Sequence, residues 1–96
     1  MRPSEAISGR LDEVRAVIAR YPVSNPRVFG SVARSEDDET SDLDLLVNPM
    51  ERTSLFDLAG LQLGLTDLLG VPVDILTPGS VGPRIADAVY RDARPL

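Results

Sequence analysis

The chain has 96 residues, 43% of them hydrophobic, with ten arginines against fifteen acids for a formal charge of −5, and it contains no lysine, histidine or cysteine. That length supports one small domain over residues 1–96 with a modest core; the residue types rule out disulfides, thiolate metal sites and imidazole bases, and the acidic balance disfavours long nucleic acid as a partner. No stretch approaches the roughly 20 apolar residues of a membrane span and the N-terminus lacks a signal-peptide pattern, so no membrane association and a cytoplasmic location are expected.

Apolar residues recur at helical spacing at Ile7, Leu11, Val14, Ile18 and Tyr21, which predicts a helix from about Ser4 to Arg20 with Ser4 as its N-cap. Pro22, Asn25 and Pro26 break it and force a turn before a short strand, Arg27–Phe29. Gly30-Ser31 follows, and Ser31-Val-Ala-Arg34 has the composition of a helix start with Ser31 near its cap. A glycine, free helical N–H groups and a serine hydroxyl together make a small cradle for a terminal phosphate. An ordinary strand-turn-helix corner has the same residues. The acidic run from Glu36 to Glu39 reads as a solvated loop.

Asp42 and Asp44 then open an apolar strand, Leu43–Val47, whose Leu45-Leu46-Val47 run marks it as buried on both faces, as parallel or central strands are. Alternation along a strand puts both carboxylates on one face. Paired acids at the mouth of a buried strand repel each other and lose hydration unless a cation neutralises them, and oxygen ligands suit hard cations such as magnesium or manganese. Simple capping of a turn is the other role open to such aspartates. Asn48 and Pro49 end the strand; Thr53 or Ser54 starts a helix to about Leu69, with a core stripe of Leu58, Leu61, Leu65, Leu68 and Leu69 stopped by Gly70. Asp74 lies inside the apolar strand Val73–Leu76, either at an exposed edge or as the third member of a carboxylate cluster. A last helix is expected with Ser80 as cap, Pro83 in its first turn and Ile85, Ala86, Val89 and Tyr90 as its apolar face, leaving Arg84, Arg91 and Arg94 on or near the other side.

Gly30-Ser31, a ten-residue gap, Asp42-Leu43-Asp44 and a later strand with Asp74 together resemble the nucleotidyltransferase superfamily typified by DNA polymerase beta. Small size narrows the resemblance to the minimal nucleotidyltransferases (MNT), antitoxins paired with HEPN-domain toxins. Many members carry a glycine where this chain has Ser35. The resemblance implies an α/β (α+β) fold, a small mixed sheet flanked by helices. It implies that Gly30 and Ser31 hold the triphosphate of ATP, with Arg34 a further phosphate contact or a plain surface arginine. It also implies that Asp42 and Asp44 bind magnesium (or manganese), and that Asp74 completes the cluster and helps deprotonate the acceptor. The expected activity is transfer of AMP to a hydroxyl, a tyrosine, of a HEPN ribonuclease toxin, which neutralises it. A non-enzymatic antitoxin that neutralises by binding alone is the alternative.

Overall fold

A computed structural model describes all 96 residues. Five helices and four strands follow in the order α1 (Pro3–Ser8), α2 (Leu11–Ile18), β1 (Val23–Phe29), α3 (Gly30–Ala33), β2 (Leu43–Pro49), α4 (Leu55–Leu69), β3 (Val73–Leu76), α5 (Pro83–Asp92) and β4 (Arg94–Pro95). They build one mixed sheet in the order β3-β2-β1-β4. β2 runs antiparallel to β1 and parallel to β3, so the apolar run of β2 is central, as its sequence requires.

Alternation along β2 divides the molecule. Leu43, Leu45 and Val47 are fully buried on one face, beneath Ala6 and Ile7 of α1, Val14 and Ile18 of α2, and Leu61, Leu65 and Leu69 of α4. Leu46 points the other way, into a small cluster with Phe29 and Val89 of α5. Asp44 shares the Leu46 face by its two-residue spacing. The second face is therefore covered by α5 at one end only, and the acids stand at the open end.

Helix α4 forms where the sequence places it. Ser54 Oγ accepts the Asp57 N–H (3.2 Å) and the Asp57 carboxylate accepts the Ser54 N–H (2.8 Å), a reciprocal cap, and Gly70 stops the helix. Gly60 admits the Tyr21 ring so closely that a Cβ there would lie 3.0 Å from Tyr21 Cε1, which lets α4 seat against the C-terminal end of α2.

Four expectations need correction. The single helix over 4–20 is two helices, separated at Gly9 and Arg10, and its first cap is Arg2 rather than Ser4. The strand expected at 27–29 begins at Val23, because a bulge with Asn25 at φ 50° absorbs the Asn25-Pro26 pair instead of ending the pairing. Asn48 and Pro49 lie within β2, opposite Ser24 and Val23. Gly82, not Ser80, caps α5; Ser80 closes a single 3₁₀ turn with Thr77. The strand β4, which has no pattern of its own, is held to β1 through Arg27 and Val28.

Candidate active site

β1 ends at Phe29 and the chain turns at Gly30 into the one-turn helix α3. Gly30 has φ 72°, a left-handed conformation suited to glycine. Its missing side chain also makes room: a Cβ on Gly30 would overlap the carboxylate of Asp44. Phe29 pairs with Asp44 across the antiparallel ladder, so the Gly-Ser turn necessarily sits beside the mouth of β2. Ser31 is the second residue of α3, inside the helix rather than at its cap, which is Phe29. The first N–H groups of α3 have no partner within the helix.

Asp44 and Asp74 are direct partners in the parallel ladder of β2 and β3 and so share a face. Asp42 immediately precedes β2, two residues from Asp44. Asp42 and Asp74 are exposed, whereas Asp44 is half-buried. Burial pushes the Asp44 carboxyl up to about 6, and the charges of Asp74 and then Asp42 push it in the same direction; Arg34 opposes them. The three acids thus feel one another, and no cation from the chain neutralises the cluster. They do not close into a ready-made metal cage, as like charges that repel would not. The donor set nevertheless suits a hard cation: all oxygen, shared by two adjacent strands, and short of positive charge.

Arg34 acts on Asp44 by charge alone and makes its hydrogen bonds elsewhere. Its guanidinium donates to Asp92 of α5 at 2.5 Å and to Glu36 at 3.3 Å, and its side chain is 45% exposed. The acidic run divides by role. Asp37 is only 7% exposed and accepts the Ser4 N–H at 2.9 Å, tying the loop to the first turn of α1. Burial raises the Asp37 carboxyl, but hydrogen bonds from Ser4 outweigh it and hold the group below its ordinary value. Asp38 holds the turn through Thr40 and Ser41. Glu36 and Glu39 are solvated, as expected of the whole run. No local pattern marks Asp37, since its partner lies 33 residues upstream.

A glycine-serine turn thus packs on an acid of the central strand, with another acid in register on the next strand. Residues 11–95 match the family model of the nucleotidyltransferase domain, and the chain belongs to that family. Within it, the solved structure of a protein provisionally described as a minimal nucleotidyltransferase is similar over 97% of this chain and 95% of its own, with 46% identity and a TM-score of 0.84. The protein adenylyltransferase MntA of Thermococcus cleftensis is 34% identical over 90 residues, 85% of this chain and 91% of the relative. A protein of Methanocaldococcus jannaschii, provisionally named a protein adenylyltransferase, is 40% identical over 77 residues, 80% of this chain and 83% of the relative. A toxin–antitoxin complex with AMP-PNP shares the fold, with a TM-score of 0.74 at 16% identity over 88% of this chain and 69% of that one.

Proposed function

We propose that the chain is an antitoxin that transfers AMP from ATP to a tyrosine hydroxyl of a HEPN-domain ribonuclease toxin encoded beside it, and so neutralises the toxin. The observation that carries this reading is Asp44, half-buried with its carboxyl raised to about 6, in register with Asp74 and against Gly30. A purely structural acid would have a partner there. The relatives named as protein adenylyltransferases and the AMP-PNP complex of a toxin–antitoxin pair support the choice of reaction and partner.

In this reading Asp42 and Asp44 hold magnesium and Asp74 completes the ligand set. A metal held by these residues would supply positive charge where negative charge develops during the transfer. The N–H groups at Gly30 and Ser31, with the Ser31 hydroxyl, hold the terminal phosphates of ATP. Arg34, at the far end of α3, would add positive charge to the triphosphate only on release from both Asp92 and Glu36. The acceptor oxygen forms a bond to the α-phosphorus, the bond from that phosphorus to the bridging oxygen breaks, and pyrophosphate leaves with the electron pair. The hydroxyl proton passes to Asp74.

Thermal unfolding with magnesium-ATP tests the binding half of this reading. At a hundredfold excess over Kd the ligand adds about 2.7 kcal/mol to stability, and Asp42→Asn and Asp44→Asn remain folded but lose that gain. A wild-type melt unchanged by millimolar magnesium-ATP contradicts it.

A further inference from the structure

Strand β3 is an edge of the sheet, paired only with β2. The Leu43 N–H donates to the Pro72 carbonyl. In a parallel ladder alternate residues bond the neighbour, so Val73 and Ile75 turn their peptide groups outward, away from β2. An edge of this kind is a template for another strand. It is not bare on its flank. Two hollows, of about 530 and 350 Å³, run between β3 and α4 and share Gln62 as a wall. Leu63 of the first and Leu55 of the second are 65% and 83% exposed, which is unusual for leucines on a helix that buries Leu61, Leu65 and Leu69. Asp74 is the only charged residue lining either hollow.

We infer that an extended segment of the acceptor protein docks here, adding a strand to β3 with its apolar side chains on α4. This inference rests on the AMP-transfer reading and names how that reaction's protein substrate is held. Three features select such an occupant. The outward peptide groups of Val73 and Ile75 call for extended main chain. The flank, which carries no charge beyond Asp74 and exposes Leu55, Ala59 and Leu63, calls for uncharged apolar side chains. Alternation does the rest: Val73 and Ile75 face the α4 side, where they join the main core, whereas Asp74 faces the open side with Asp44. A strand laid along this edge sends alternate residues to α4 and the residue between them towards Asp74. The substrate is thereby specified as a hydroxyl residue with apolar neighbours on both sides, which presents its oxygen to the acids while its neighbours seat against Leu63 and Ala59.

The test uses the full chain, the neighbouring toxin, ATP and magnesium, with Ala59→Arg and Leu63→Arg, two exposed positions outside the catalytic cluster. Each variant, checked for folding by circular dichroism, binds the toxin at least tenfold more weakly and raises the KM for toxin, with the KM for ATP unchanged and kcat within twofold. Amide exchange of Val73 and Ile75 slows in the wild-type complex. Unchanged affinity in both variants, or fast exchange at Val73 and Ile75 in the saturated complex, overturns the inference. So does a wild-type dimer of this chain that Leu63→Arg splits, since the groove then belongs to a second copy. Loss of toxin binding in the variants, with slowed exchange in wild type but no AMP added to the toxin, upholds the docking mode and removes the AMP-transfer reading instead.

Discussion

Replacing Gly30 by alanine perturbs two things at once, and a double-mutant cycle separates them. At φ 72° an L-residue carries a conformational penalty of about 1–2 kcal/mol, partly offset by the entropy that alanine removes from the unfolded chain, about 0.4–1 kcal/mol. The new Cβ also overlaps the Asp44 carboxylate, which must rotate away within a half-buried site; overpacking of that kind costs about 1–3 kcal/mol. Gly30→Ala is therefore expected to lose about 2–3 kcal/mol in urea denaturation at pH 7.5. In an Asp44→Ala background the overlap is gone and the loss falls to about 1 kcal/mol, leaving a coupling of about 1–2 kcal/mol between the positions. The variant also loses magnesium-ATP binding, because the displaced carboxylate is one of the proposed ligands. An equal cost in both backgrounds would refute the packing of Asp44 against Gly30.

Asp44 makes stability depend on pH in metal-free buffer: the folded state keeps its proton to about pH 6, while the unfolded chain releases it near 3.8. Wild type therefore loses stability relative to Asp44→Asn as pH rises between those values, by at most about 3 kcal/mol at 1.36 kcal/mol per pH unit and less after solvent screening of a half-buried group; a gap between the two proteins that does not change from pH 4 to 7 contradicts it. Ser35 stands at φ 58°, so Ser35→Gly is expected to raise stability by about 0.5–1 kcal/mol in the same urea assay, and a loss would show that the serine side chain has a compensating contact. Asp37→Ala removes the acceptor of the Ser4 N–H and is expected to cost about 1 kcal/mol, with faster amide exchange in α1; exchange unchanged there would mean the loop does not hold the helix.

Much of this was readable in the chain because the decisive elements carry their own punctuation. Helix α4 has a cap at Ser54, a leucine stripe and a glycine stop, and β2 has an uninterrupted apolar run. The expected mixed sheet with flanking helices is the fold observed, and the family inferred from Gly30-Ser31, Asp42 and Asp44 is the family matched. The break between α1 and α2 was hidden because Ile7 and Leu11 stay in helical register across Gly9. β1 was underestimated because Pro26 normally ends a strand, whereas the bulge at Asn25 accommodates it. Asp74 is both exposed on the edge strand and in register with Asp44, a neighbourhood that sequence could not display, since pairing between strands that lie thirty residues apart leaves no local pattern. Ser35 stands in the left-handed backbone conformation that favours glycine. The ion pair of Arg34 with Asp92 is another tertiary contact, joining α5 to the end of α3.

The most direct measurement of the central claim is the intact mass of the neighbouring toxin after incubation with this chain, ATP and magnesium. The expected result is a gain of whole AMP units on a tyrosine, absent with Asp44→Asn, and loss of toxin activity in step with that gain. A toxin of unchanged mass that is nevertheless inhibited, equally by wild type and by Asp44→Asn, would contradict the account and assign the chain to neutralisation by binding alone.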